Sequence, residues 1–154
     1  MNIPPDDTAK PLAALVFTVG GEYYLADVLA LREVIKATDE IVAVAGAAPA
    51  ILGVMNLRGN VITVFDLRKL LGVESAQTTD NSIIVVSLED HYVGLMVDDV
   101  STVLQIDAHS IEPPPDLGVQ HGPRLIQGLV QRDGTLYQLL DLDALPLREE
   151  TSGS

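Results

Sequence analysis

The chain has no cysteine, no tryptophan and little that is basic: 9 Lys and Arg stand against 22 Asp and Glu, for a formal net charge of -13 over 154 residues. Without thiols, disulfides, thiolate zinc sites and cysteine nucleophiles are all excluded. An isoelectric point near 4.3 sets up a field that repels polyanions, which excludes nucleic acid and anionic membrane surfaces as long-range partners. No apolar run approaches the ~18 residues needed to cross a bilayer. The opening Met1-Asn2-Ile3-Pro4-Pro5-Asp6-Asp7 has neither the basic flank nor the apolar stretch of a signal peptide. The expectation is a cytoplasmic protein with no direct membrane insertion.

What is present points to a β fold. Hydrophobic residues make up 47% and charged ones 20%, the balance of a folded domain, yet aromatics supply only 4%. The core must then be built from Val, Leu, Ile and Ala, material rich in β-branching. A chain of this length buries roughly 68–70% of its unfolded surface, so one domain or two small fused subdomains fit.

The sequence repeats itself. Gly53-Val54-Met55-Asn56-Leu57-Arg58-Gly59-Asn60-Val61-Ile62-Thr63-Val64-Phe65-Asp66-Leu67 reads as an apolar hairpin with a cation at its bend, Gly59 supplying the positive φ of a tight turn. The outline returns 75 positions later, from Gly128 through Asp133-Gly134 to Asp141-Leu142, with both glycines, the closing Asp-Leu pair and every spacing kept. Arg58 is the element that its counterpart, Asp133, replaces.

The earlier segments repeat as well. Leu15 to Val19 and Tyr23 to Val28, parted by Gly20-Gly21, form one early hairpin; Ile83 to Leu88 and Tyr92 to Val97, over Glu89-Asp90-His91, form another. Tyr92 is aligned with Tyr24, Val100 to Ile106 with Leu31 to Ala37, and Val103-Leu104 with Val34-Ile35 at an offset of 69. The shift from 69 to 75 places about six extra residues in the loop between Glu112 and Pro123. Asp66 and Asp141 are each expected to cap a short helix, the first ended by Gly72, the second running to Leu145. The expected organisation is tails at 1–12 and 148–154 without order, and a domain over 13–147. Its subdomains run from about 15 to 72 and from about 83 to 147, the N-terminal strand able to be shared. Packing the two against each other would bury the apolar runs 61–65 and 136–140 on both faces.

Catalysis finds little support. His91, His109 and His121 are isolated and read as surface histidines. Asp98-Asp99 and Asp141-Leu142-Asp143 could be imagined as metal carboxylates of a small hydrolase, but Asp141 has a capping role shared with Asp66 and Asp98-Asp99 closes a strand. There is no Gly-x-Ser-x-Gly elbow, P-loop or dinucleotide fingerprint. Arg58 remains open at this level: a solvated tip residue, or a recognition group offering five donors.

The block Gly53-Val54-Met55-Asn56-Leu57-Arg58-Gly59, with Val64-Phe65-Asp66-Leu67-Arg68 after it, resembles the signature of the CheW family of chemotaxis coupling proteins. So do Arg32-Glu33-Val34-Ile35 upstream and Val93-Gly94-Leu95-Met96-Val97-Asp98-Asp99-Val100 with Val103-Leu104 downstream, so the resemblance runs from about Leu15 to Leu147. It implies an all-β fold of two intertwined five-stranded SH3-like barrels and no enzymatic activity, cofactor or metal. The partners implied are the regulatory domain of a CheA-type histidine kinase and the cytoplasmic helical tip of methyl-accepting chemoreceptors, met by a protein that is a monomer in isolation. The resemblance also implies receptor binding by Arg58, with Asn56 and Gly59 shaping its turn. Leu31, Val34, Val100 and Val103 would line a groove between barrels, where a helical hairpin docks by apolar area. Kinase contact would use the end of the first barrel. A module that binds only one of these partners is the alternative within the family. Thr63 and Ala45 stand where the family often has proline, which removes a fixed φ at each place.

Overall fold

In a computed structural model the described residues are 11–37, 40–73, 81–115 and 125–145; the expected tail at 148–154 and residues 1–10 of the expected tail at 1–12 lie outside them, while Leu12 already belongs to the first strand. Among the described residues ten strands follow in chain order: β1 (Leu12–Val19), β2 (Glu22–Asp27), β3 (Leu31–Lys36), β4 (Ile51–Leu57), β5 (Asn60–Asp66), β6 (Ser82–Leu88), β7 (His91–Val97), β8 (Asp99–Ile106), β9 (Ile126–Arg132) and β10 (Thr135–Leu140). They form two five-stranded sheets, in the order β8-β1-β2-β10-β9 and β3-β6-β7-β5-β4.

The sheets cut across the halves of the chain. The division at 72 and 83 follows the repeat, but the early hairpin β1–β2 joins β8, β9 and β10, while β6–β7 joins β3, β4 and β5. A whole hairpin is exchanged in each direction, where a single shared strand was expected. The connections explain this. The 3-10 turn Val28–Ala30 joins β2 to β3, and Asp98 alone joins β7 to β8; neither contains a positive φ. A tight reversal requires one, so the chain runs on from one sheet into the other. Each early hairpin is then held in its adopted sheet by a parallel pairing, Tyr23 beside Tyr137 and Thr63 beside Val93.

One core is shared between the sheets. Leu15, Phe17, Val19, Tyr24 and Ala26 from the first meet Phe65, Ile84, Val86, Val93, Leu95 and Val97 from the second. Alternate residues fill a private core in each sheet: Ala14, Val16, Leu25, Ile106, Val130 and Leu139 in one, Met55, Ile62, Val64, Ile83, Val85 and Met96 in the other. Both faces of the central strands are therefore buried, which is why they read as unbroken apolar runs. The runs 61–65 and 136–140 do not stay buried throughout: Val61 is 70% exposed and Leu136 48%, because each begins at a hairpin tip beyond the cores. Tyr92 aligns with Tyr23, not Tyr24. Both stand second in their strands and are exposed, whereas Tyr24 and its true counterpart Val93 enter the shared core. There Tyr24 stacks on Phe17 at 5.8 Å between ring centroids, and burial pushes its hydroxyl pKa up from 10.0.

The two frames close alike but not identically. α1 (Leu67–Leu71) starts where Asp66 Oδ1 accepts the Arg68 N–H at 3.0 Å, and ends at Gly72 with φ 72°. After Asp141, whose Oδ1 accepts the Asp143 N–H at 3.1 Å, only a 3-10 turn forms, Leu142–Ala144. Leu145 precedes Pro146 in sequence and takes an extended conformation, φ -65° and ψ 143°, which ends the expected helix early.

Candidate partner-docking site

The turn between β4 and β5 holds both central residues at positive φ, Arg58 at 52° and Gly59 at 89°. This pattern matches the twist of the flanking strands, and Asn, Asp and Gly adopt it most readily. The sister turn obeys the preference with Asp133 at 54° and Gly134 at 81°. Arginine at this position runs against the local chemistry. Asn56 supports it from within the hairpin, its Oδ1 accepting the Gly59 N–H at 2.8 Å.

The Arg58 guanidinium does not stand free. Its Nη2 donates to Glu33 Oε1 at 2.9 Å and its Nη1 to Glu33 Oε2, a fork-on-fork pair. β3 forms one edge of its sheet and β4 the other, so the bond ties the hairpin tip to the far edge. The Arg58 hydrogen bond holds the Glu33 carboxyl below its ordinary 4.5, and the same bond raises Arg58. Glu33 had no assigned role in the sequence reading. Its signal was the alternation of β3, which puts Glu33 on the face opposite Val34. In the other sheet an edge-to-edge tie recurs with different chemistry, Arg132 Nη1 donating to the Gln105 carbonyl at 2.8 Å.

The apolar set divides. Opposed residues of antiparallel strands share a face. Leu31 and Val34 lie opposite Val86 and Ile84, while Val100 and Val103 lie opposite Phe17 and Leu15. All four partners belong to the shared core, so all four residues sit on the face turned towards it. Leu31 and Val100 pack against that core; Val34 and Val103 remain 41% and 47% exposed. The outer strands β3 and β8 thus carry the apolar face of the core out to solvent. Arg58 is not on that face: its partner Glu33 lies opposite Val85, on the side of the private core. The predicted site resolves into an apolar strip and a cation clamped on the reverse of the same edge strand.

The glycines and aspartates of the frame have structural reasons. A Cβ on Gly53 would lie 2.1 Å from the Val42 carbonyl oxygen, and one on Gly128 2.5 Å from Ile111 Cγ2. At both places a crossing segment pairs with the next residue, Val42 with Val54 and Glu112 with Leu129. Asp98 Oδ2 accepts the Gly20 N–H at 2.8 Å, and Asp66 binds Arg68 through side chains that are 5% and 12% exposed. His91 and His109 are exposed, and His121 lies outside the described residues. Among the described residues no three His, Asp or Glu are grouped to hold a metal ion, and no helix is long and apolar enough to cross a membrane.

Apolar strand faces that emerge from a core, with their charged neighbours engaged in structural bonds, are the chemistry of protein recognition. By class the molecule is a binding module. The chain belongs to the CheW family: the model of the CheW-like domain matches residues 13–150. It is 32% identical to the chemotaxis protein CheW of Klebsiella aerogenes over 88% of this chain and 82% of that one. With CheW of Bacillus subtilis it shares 34% identity over 91% of this chain and 89% of that one. The crystal structure of the scaffolding protein TtCheW from Thermoanaerobacter tengcongensis superposes with a TM-score of 0.78 at 32% identity, covering 86% and 85% of the two chains. Proteins of this family are non-enzymatic scaffolds, and the two intertwined SH3-like units expected from the sequence agree with that likeness.

Proposed function

We propose that the chain couples chemoreceptors to a CheA-type histidine kinase, gripping the cytoplasmic helical tip of a methyl-accepting receptor and the regulatory domain of the kinase at once. It acts from the cytoplasm as a monomer until assembled. The observation that carries the reading is the pair Val34 and Val103, large apolar residues exposed on the outer strands of both sheets and continuous with the shared core. A receptor helix laid between β3 and β8 would bury them, and a fully buried valine contributes about 1.5–3 kcal/mol. Arg58, Asn56 and Gly59 hold β3 and the β4–β5 hairpin in register for that contact, with Leu31 and Val100 as its floor. Val42 and Val61, 62% and 70% exposed at the β4–β5 end, offer a separate surface for the kinase.

The test is a pull-down with a receptor signalling tip. Val103→Asp and Val34→Asp should each weaken capture at least ~10-fold, about 1.4 kcal/mol, while kinase binding persists. Unchanged capture by both variants would remove the strip from the receptor site. If receptor, kinase and wild-type protein form no ternary complex, coupling itself is lost and a single-partner module replaces it.

A further inference from the structure

Leu29, in the 3-10 turn between β2 and β3, is 91% exposed. The duplicated frame supplies an internal comparison. The residue 69 positions on is Asp98, which folds inward to bind the Gly20 N–H. The turn at Leu29 is already fixed by Asp27, whose Oδ1 accepts the Leu29 N–H at 2.9 Å, so the leucine side chain has no structural duty.

Beside it opens a cleft of about 320 Å³, to which the β6–β7 turn and the ends of β9 and β10 contribute. Asp27, Glu89, Asp141 and Asp143 stand around it, and no Lys or Arg lines it. Among the described residues none of these carboxylates is in an ion pair. The Gln127 amide is committed to the Leu140 carbonyl at 2.9 Å, and Asp27 and Asp141 each spend one oxygen on a turn N–H, leaving Glu89, Asp143 and the second oxygens of Asp27 and Asp141 to meet a ligand. No three of them are grouped to hold a metal ion. The volume is at the bottom of the range for small-molecule sites, enough for inserted side chains rather than a whole metabolite.

We propose that this cleft docks a basic amphipathic helix of a partner protein. A Lys or Arg head enters among the carboxylates, and an apolar residue one turn away packs on Leu29. The surface is a third contact, apart from the β3 and β8 strip and from the β4–β5 end. Charge complementarity selects the occupant: an acidic helix would meet like charge on every side.

The experiment titrates the isotope-labelled full chain with a helical peptide of Leu and Lys, then with its Leu and Glu counterpart, at physiological salt. Amide shifts should converge on Leu29, Glu89, Gln127 and Asp143 with the Lys peptide only. Leu29→Ser leaves the net charge unchanged and should weaken binding ~10-fold, as loss of an apolar anchor does; Glu89→Gln should weaken it too. Shifts spread over the acidic surface and untouched by Leu29→Ser would mean attraction by net charge alone and overturn the proposal. Equal binding of the Glu peptide would also overturn it. Val103→Asp should leave peptide binding intact; its loss there would place the peptide in the receptor strip and end the case for the cleft.

Discussion

Arg58 and Glu33 lie on opposite edges of one sheet and are joined by two parallel hydrogen bonds. The pair fixes the β4–β5 tip against the strand that carries Val34, so Arg58 acts on the docking strip by positioning it. Arg58→Glu and Glu33→Arg should each weaken receptor-tip binding at least ~10-fold, the scale of a lost charge-assisted bond. The double exchange should recover most of it. Thermal unfolding should change little, since Arg58 is 70% exposed and an open pair adds little to stability. A double exchange no better than either single variant would assign Arg58 to direct contact instead.

The same pair gives the fold a weak acid sensitivity. Glu33 is held below its ordinary 4.5 by the Arg58 hydrogen bond, so the interaction contributes fully above that value and fades as pH falls through the lowered one. The upward shift of Arg58 acts only far above neutrality. Following the Glu33 carboxyl carbon by NMR, the midpoint should rise in Arg58→Ala and also rise in high salt, which screens an exposed pair. Identical midpoints in wild type and Arg58→Ala would show that the pair does not persist in solution.

The sequence carried the frame well because the frame is written twice. Glycines, caps and hairpin lengths recur at fixed offsets, and each recurrence marks a backbone requirement: Gly53 and Gly128 lie under crossing strands, Asp66 and Asp141 at helical starts. Exchange of the hairpins was not legible, since it depends on the absence of a reversal at Val28–Ala30 and Asp98, and no residue there announces one. Arg58 stood out by comparison with Asp133, but its partner did not. Pairing between strands 25 residues apart leaves no local pattern, and an isolated Glu33 looks like any solvated strand residue. The apolar site residues were identified as a set, yet burial separated them: Leu31 and Val100 serve the core, Val34 and Val103 face water.

Gly53 and Gly128 occupy equivalent places with unequal consequences. At Gly53 the backbone has φ 154° and an added Cβ would meet a carbonyl oxygen that cannot yield. Gly53→Ala therefore strains the chain and breaks the Val42–Val54 bonds, 2.8 and 2.9 Å long, at a cost of about 3 kcal/mol or more. At Gly128 the nearest atom is an Ile111 methyl, which can rotate, and Gly128→Ala should cost about 1–2 kcal/mol. Urea unfolding of the two variants, with unchanged m values, measures the gap; equal losses would mean that the Val42 crossing yields as easily as a side chain.

Asp66 and Asp141 divide in the same way. Asp66 is 4% exposed, and on its carboxylate converge the Arg68 N–H at 3.0 Å and the Arg68 Nε at 3.1 Å. Asp141 is half-buried and accepts the Asp143 N–H, an acidic residue where the first frame has Arg68. Asp141→Ala removes an ordinary cap, worth about 1 kcal/mol. Asp66→Ala removes both a cap and the anion of a buried pair, and breaking such a pair from one side costs about 3–5 kcal/mol. Asp66→Asn separates the two effects: its side-chain oxygen still accepts the cap bond while the charge is gone, so its loss in urea unfolding should fall between the two alanine variants. If Asp66→Asn is as stable as wild type, capping alone explains Asp66, and the Arg68 pair adds nothing to the fold.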